Sequence, residues 1–207
     1  MIRTTQPWCV FDWLWCHRIE EQGLSVTIVT RRMLLVPYIE ALESEFLLLN
    51  CCTQNRAFMN GPLTVSLARN AFQRFLYQPD AQAMAVLNNV TREYMGHMSL
   101  DMIGEHVASL TCIFDKLSWG KGYASEAINA FLPHICQQKQ INTVMMNIPV
   151  DHHVGLHLVK KLGFTQKAHI MDDFLGDYYQ FEWHSEINPM AVNDVVAHRA
   201  VANESHS

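Results

Sequence analysis

One glycine-rich turn constrains the fold of this chain more than any other segment. It lies between an apolar stretch, Val107–Phe114, and a segment whose apolar residues recur at helical spacing. Glycines let a backbone turn tightly and approach a ligand closely. The turn reads Ser118-Trp119-Gly120-Lys121-Gly122-Tyr123-Ala124-Ser125-Glu126-Ala127. We therefore expect a ligand-accessible loop between a central strand and a helix.

Strand and helix patterns alternate on both sides of this turn. The strands are predicted over Thr27–Val36, Met84–Leu87, Tyr94–Leu100, Val107–Phe114, Thr143–Val150, Lys167–Met171 and Tyr178–Trp183. Helices are predicted over Ile39–Leu49, Val65–Leu76 and His153–Leu162, and after the turn, where Pro133 should kink the helix. This order predicts an α/β (α+β) fold with a central mixed, mainly antiparallel sheet flanked by helices.

The length and composition favour one compact domain. The chain has 207 residues, of which 49% are hydrophobic and 17% are charged. We expect the domain to span 26–187, after an N-terminal extension of unknown role (1–25) with three tryptophans and before a loosely held tail (188–207). The net charge of -5 provides no global attraction to nucleic acid or to an anionic membrane.

The cysteines are typical of an intracellular protein. The chain has six of them, with no CxxC pair and no spacing of a disulfide framework. No apolar run approaches the length of a membrane span, and the apolar stretch near the N-terminus is interrupted by Asp12. The sequence therefore predicts a cytoplasmic protein with reduced thiols.

The glycine-rich turn has the properties of an anion site. The first amides of a helix have no partners within it and lie at the positive end of its dipole, which suits a phosphate or pyrophosphate. Lys121 would add a charge and Ser125 a hydroxyl; the alternative is a structural turn capped by Ser125. A P-loop is excluded because Lys121 is not followed by Ser or Thr, and a dinucleotide fingerprint lacks its third glycine.

Several segments resemble GNAT N-acetyltransferases, and the branch that acetylates ribosomal-protein N-termini most of all. The turn looks like the acetyl-CoA pyrophosphate motif of that family. Weaker similarities follow the family's order over roughly residues 26–187: Thr30-Arg31-Arg32-Met33-Leu34-Leu35, Gly96-His97 and Leu158-Val159-Lys160-Lys161-Leu162-Gly163-Phe164. The resemblance implies a single GNAT-like domain that uses acetyl-CoA as cosubstrate.

The resemblance also implies where the cofactor lies. The strand that ends at Phe114 would splay from Thr143–Val150, and the pantetheine arm would pair with its edge in the cleft. Family members transfer the acetyl group directly to a neutral amine and need no metal. The implied cofactor-binding residues are Cys112, Ile113, Phe114, Trp119, Gly120, Lys121, Gly122, Tyr123, Ala124, Ser125 and His152.

The chain departs from the family pattern where catalytic residues are usual. His152 and Gly155 stand where the family has an Asn and a Ser near the cofactor sulfur, and Ser109 replaces a common Glu. His152 could replace the Asn as a hydrogen-bond partner or serve as the acid, because its pKa lies near neutrality; it could also be an ordinary polar residue at a helix start. Glu105, His106 and Asp115 are three nearby candidates for the base.

Three functions remain open. The first is acetylation of a primary amine such as a protein N-terminus, by a monomer or homodimer. The second is acetylation of a small molecule: a polyamine, an amino sugar or an antibiotic. The third is a GNAT-fold module that binds CoA without turnover. A metal site at His153 and His157, which lie on one helical face, is disfavoured because the same segment matches the acetyltransferase helix.

Overall fold

The computed structural model of this chain describes residues 26–78, 82–173 and 176–185. The expected extension, 1–25, and the expected tail, 188–207, lie outside the described residues. None of the helices within the described ranges combines the length and the apolar character that crossing a bilayer would require.

The described strands form one mixed sheet. They are β1 (Ile28–Val29), β2 (Met33–Pro37), β3 (Gln82–Asn88), β4 (Tyr94–Met102), β5 (Val107–Phe114), β6 (Thr143–Pro149), β7 (Thr165–Ile170) and β8 (Tyr178–His184). Their order in the sheet is β1-β2-β3-β4-β5-β6-β8-β7. Only β5 and β6 pair in parallel among these strands. The prediction of a mixed, mainly antiparallel sheet is confirmed.

The first predicted strand was wrong in one respect. Thr27–Val36 is not one strand but an antiparallel hairpin of β1 and β2, with Ile28 opposite Leu35. The hydroxyl of Thr30 accepts the Met33 amide at 2.9 Å, and the Thr30 amide donates to the Met33 carbonyl at 2.9 Å. These bonds satisfy the backbone of a tight turn, so the chain reverses at the polar residues 30–32 in the middle of the predicted strand.

Helices cover both faces of the sheet. A short 3-10 turn, Glu40–Leu42, leads into α1 (Glu43–Asn50), which is followed by α2 (Val65–Tyr77), α3 (Tyr123–Lys139) and α4 (His153–Lys161). The side chain of Thr64 caps α2 by accepting the Leu67 amide at 3.3 Å. Helix α3 continues past Pro133, and the kink expected there stays a prediction.

Two apolar clusters form the core, one on each face of the sheet. Alternate residues of β3 divide between them: Met84 and Val86 belong to one cluster, Ala83 and Ala85 to the other. The first cluster packs against α3 and includes Ile128, Phe131, Leu132 and Ile135. The second packs against α1 and α2 and includes Tyr38, Phe46, Ala68, Phe72 and Leu76.

Strands β5 and β6 pair over only part of their length. The parallel register covers Val107–Ser109 against Thr143–Met145, although β5 continues to Phe114 and β6 to Pro149. Beyond Ser109 the two strands no longer pair, which leaves a cleft with backbone groups available along both edges. The expected splay of these strands is therefore confirmed. The glycine-rich turn follows β5 and α4 follows β6, so both adjoin the open end of the cleft.

Candidate functional site

The glycine-rich turn adopts a conformation that requires its glycines. Gly120 and Gly122 have φ of 70° and 76°, in the left-handed region. Gly122 is the N-cap of α3, and no side chain caps the helix there. The first intrahelical bond in this turn is the one from the Glu126 amide to the Gly122 carbonyl, at 3.2 Å. The amides before Glu126 are thus left for a ligand, and the alternative of a cap by Ser125 is not found.

Arg32, in the turn between β1 and β2, holds this loop in place. Its Nε donates to Oε2 of Glu126 at 2.6 Å, and its backbone amide donates to Oε1 at 3.0 Å. Its Nη1 donates to the Lys121 carbonyl at 2.8 Å, and its guanidinium carbon lies 4.4 Å from the centroid of the Tyr123 ring. One side chain therefore fixes the loop backbone and the first turn of α3 together.

The Glu126 carboxylate braces the loop. Burial alone would raise its pKa, but hydrogen bonds from Thr30 and Arg32, together with the Arg32 charge, lower the pKa overall. The group is therefore ionised at neutral pH and paired with a cation. This is a structural role, since both carboxylate oxygens are engaged.

The end of β5 is tied to the same loop. The indole N–H of Trp119 donates to the Phe114 carbonyl at 2.8 Å, so this carbonyl is already occupied. The neighbouring Cys112 side chain packs against the first apolar cluster, the one that includes residues of α3. Burial raises the pKa of its thiol to about 12. Cys112 is consequently protonated and unsuited to act as a nucleophile.

The loop between α1 and α2, residues 51–64, is anchored at the end of β5. The buried Asn55 donates to Oδ2 of Asp115 at 3.1 Å and accepts the Lys116 amide at 2.9 Å. Asp115 also accepts the Leu117 amide at 2.9 Å. Both Asp115 oxygens are thus committed to hydrogen bonds, which argues against its suggested catalytic role.

The same loop reaches the start of α4. The Phe58 ring stacks on the imidazole of His152, with centroids 4.0 Å apart and planes inclined by 5°. Burial lowers the pKa of the imidazole, and the charge of Asp151 acts in the opposite direction. The imidazole is therefore mainly neutral at neutral pH. Because His152 stands between β6 and α4, it lies at the open end of the cleft.

Glu105 and His106 lie at the opposite end of β5 from the glycine-rich turn. Both are exposed in the turn before β5, at the end where β5 and β6 are paired. His106 contacts the Gln140 carbonyl through Nδ1 at 2.9 Å, and its own carbonyl accepts the Thr143 amide at 3.1 Å. The cleft opens only after Ser109, roughly 10 Å further along the strand. The geometry does not bring Glu105 or His106 to the loop.

Metal-binding side chains do not converge in the described ranges. Among these residues no group of three or more His, Cys, Asp and Glu stands close enough to hold a metal ion. His153 and His157 are both exposed on α4.

Three residues of the site were not among the residues predicted from the sequence. Arg32 lies within the first stretch that resembles the family, but its partner Glu126 is 94 residues away. Asn55 and Phe58 lie in a segment without periodicity. Their only signal is residue type, because a buried Asn and a ring beside polar residues usually have specific partners.

Comparison with known proteins bears directly on this geometry. A family model described as acetyltransferase (GNAT) domain matches residues 32–165, which include Arg32, the loop and His152. A comparison with curated protein sequences finds no match.

Solved structures show the same fold. An acetyltransferase of the GNAT family from Bacillus anthracis is 17% identical with a TM-score of 0.68, covering 77% of this chain and 98% of that one. Spermidine N-acetyltransferase from Vibrio cholerae, in complex with CoA and spermine, is 15% identical with a TM-score of 0.68, covering 75% and 96%. RimL, a ribosomal L7/L12 alpha-N-protein acetyltransferase in complex with coenzyme A, is 17% identical with a TM-score of 0.66, covering 79% and 100%. With more than half of its length matched by the family model, this chain belongs to the GNAT family of acetyl-CoA-dependent acetyltransferases.

Proposed function

We propose that this protein transfers the acetyl group of acetyl-CoA to a primary amine, with the glycine-rich turn as its diphosphate site. The observation that carries the proposal is the uncapped start of α3, preceded by two glycines at positive φ and adjoining the open cleft. Unpaired amides at a helix start favour an anion, and the cleft offers backbone groups to an extended ligand arm.

The turn has space for a diphosphate. No atom lies within 4 Å of where a Cβ would stand at Gly120, and at Gly122 the nearest is Nη2 of Arg32 at 3.6 Å. A ligand can therefore approach the backbone, with a guanidinium behind the turn. The proposed diphosphate ligands are the amides of residues 120–125, supplemented by the Lys121 ammonium and the Ser125 hydroxyl, with Trp119 and Tyr123 at the sides.

The open edge of β5 suits the pantetheine arm. The backbone of Cys112 faces the side where β6 has diverged, while the Phe114 carbonyl is held by Trp119. Ile113, which the family resemblance also implied as a ligand, directs its carbonyl at Gly96 of β4 instead. When bound, acetyl-CoA supplies an activated thioester. Because the Cys112 thiol is protonated, we propose direct attack by the amine without an acyl-cysteine.

The amine must lose a proton to attack the thioester. His152 is the described titratable group with the best position, because it lies at the end of the open cleft and is mainly neutral. We propose it as the residue that accepts this proton or hydrogen-bonds the cosubstrate. Glu105 and His106 receive no support from their place at the paired end of β5.

The proposed acceptor class is a primary amine. Two of the similar structures are a spermidine N-acetyltransferase and a ribosomal alpha-N-protein acetyltransferase, and the groups that both acetylate are amines. Between these we propose a protein N-terminus, because the sequence resembles the ribosomal-protein branch. A cytoplasmic location and a monomeric or homodimeric state belong to the same proposal.

A CoA-binding module without turnover is the second candidate. It is favoured by Gly155, which removes the hydroxyl that the family pattern places near the sulfur, and by Ser109 in place of a Glu. Release of free thiol from acetyl-CoA, measured with peptides, polyamines and amino sugars, separates the two. Amine-dependent thiol release supports the enzyme, whereas stabilisation by CoA without release with any amine supports the module.

A further inference from the structure

We propose that Phe58, His152 and Gly155 form one unit in which Phe58 and Gly155 are positioning residues for the His152 imidazole. This inference rests on the proposed function and deepens it by explaining two of the departures from the family pattern. It also assigns a role to a side chain of the loop between α1 and α2.

Gly155 makes room for the imidazole. A Cβ at this position would lie 2.6 Å from Nδ1, 2.9 Å from Cε1 and 3.1 Å from Cγ of His152. Those distances are shorter than van der Waals contact, so any side chain at position 155 displaces the ring. Gly155 does not have positive φ and is buried within α4. Its glycine is thus explained by the neighbouring ring rather than by the backbone.

Phe58 holds the other face of the imidazole. The parallel stack at 4.0 Å fixes the plane of the ring, and the His152 side chain does not cap α4. The loop that carries Phe58 is fixed three residues earlier by Asn55, which bonds Asp115 and the Lys116 amide. The loop therefore contacts the residues after β5 through Asn55 and those after β6 through Phe58. These contacts bridge the open end of the cleft.

The unit determines both the orientation and the charge of the imidazole. Among the described residues, the charged group that acts on His152 is Asp151 of its own turn, and the loop contributes the uncharged Phe58 ring. Asp151 favours the imidazolium, and burial beneath the stack favours the neutral ring. Loss of the stack would expose the ring to water and shift the balance toward the imidazolium.

Substitutions of Phe58 test the unit in the full-length protein. Phe58→Leu removes the stacking ring and Phe58→Tyr retains it. With Phe58→Leu, we expect the pKa of the His152 imidazole, followed by NMR, to rise toward its ordinary value of 6.5. We expect kcat to fall roughly tenfold or more, because a misplaced proton acceptor is costly, while the Kd for CoA changes less than twofold. Phe58→Tyr, which keeps the stacking ring, should show the wild-type pKa and kcat.

Gly155→Ala tests the same unit without changing Phe58. The methyl group should displace the imidazole and give the same pKa rise and kcat loss as Phe58→Leu. In a His152→Ala background the added methyl meets no ring, so Gly155→Ala should no longer lower Tm. The proposal is overturned if Phe58→Leu leaves the His152 pKa and kcat unchanged, or if Gly155→Ala lowers Tm equally with and without His152. If the wild-type protein shows no turnover, the proposed function fails. The positioning proposal is still tested in that case, since the NMR and Tm measurements do not need activity.

Discussion

The Arg32 side chain links two segments that are far apart in the sequence. It bonds the Glu126 carboxylate and the Lys121 carbonyl and lies over the Tyr123 ring. Its planar guanidinium can make these contacts simultaneously, which a lysine ammonium cannot do in the same geometry. Arg32 thus fixes the glycine-rich turn before any ligand arrives, and this preorganisation should appear in the affinity for CoA.

Replacement of Arg32 should weaken CoA binding. With Arg32→Lys we expect about a tenfold rise in Kd, equivalent to about 1.4 kcal/mol, because the loop must then be ordered by the ligand. Isothermal titration calorimetry measures this. Arg69→Ala is the matched control, since it removes the exposed ion pair between Arg69 and Glu43 and should leave Kd unchanged. Equal affinity of Arg32→Lys and wild type would show that the loop does not depend on this brace.

The ion pair of Glu126 should contribute a pH-dependent part of the stability. Its folded pKa is lowered from 4.5, so its contribution is fully present above that value and is lost as the pH falls through the lower folded pKa. Urea unfolding of wild type and Glu126→Gln, compared from pH 7 to pH 3, measures the difference. The advantage of wild type should be constant above about pH 5 and shrink below about pH 4.5. An advantage that persists unchanged at pH 3 would contradict this account.

The packing of α1 and α2 on the sheet buries a histidine of β4. His97 is 4% exposed and lies among the rings of Tyr38, Phe46 and Phe75, and its Nδ1 has no hydrogen-bond partner among the described residues. Burial, with a smaller contribution from the Arg56 charge, lowers its pKa to about 3. The ring is therefore neutral throughout the range in which the protein is expected to work.

This histidine should make the packed helices sensitive to mild acid. The unfolded chain binds a proton at His97 below about pH 6.5, whereas the folded chain does so only near pH 3, so stability falls as the pH decreases between those values. From pH 7.5 to 5.5 we expect wild type to lose about 1 kcal/mol relative to His97→Leu. Urea unfolding at both values measures this, and parallel losses in the two proteins would refute it.

The sequence patterns predicted where the strands lie better than which strands pair with each other. Val107–Phe114 was predicted with its observed bounds, because its apolar residues are continuous and the turn after it is rich in glycine. Thr27–Val36 was predicted as one strand because its two ends are β-branched and apolar, although the polar Thr30-Arg31-Arg32 in its middle is where the hairpin turns. The divergence of β5 from β6 followed from the family resemblance and not from periodicity, which carries no information on register.

The folded molecule brings together contacts that no local pattern encodes. Arg32, in the turn between β1 and β2, bonds Glu126 in the first turn of α3. Phe58 stacks on His152 at the open end of the cleft. Both pairs are far apart in sequence, so their partners become visible only once the topology is known. The glycine-rich turn was predictable because all of its chemistry lies within a few consecutive residues.

The central claim for the whole protein is that the glycine-rich turn holds the diphosphate of CoA. Calorimetric titration of CoA into wild type, Gly122→Asp and Gly176→Asp tests it most directly. Gly122 and Gly176 share a φ of 76°, so both variants carry the same backbone strain and charge, but Gly176 lies in the hairpin between β7 and β8. We predict one-site binding by wild type and Gly176→Asp, and no measurable binding by Gly122→Asp, whose carboxylate adds a negative charge beside the anion site and competes for Arg32, which fixes the loop. Absence of binding by wild type, or equal binding by all three proteins, would contradict the account.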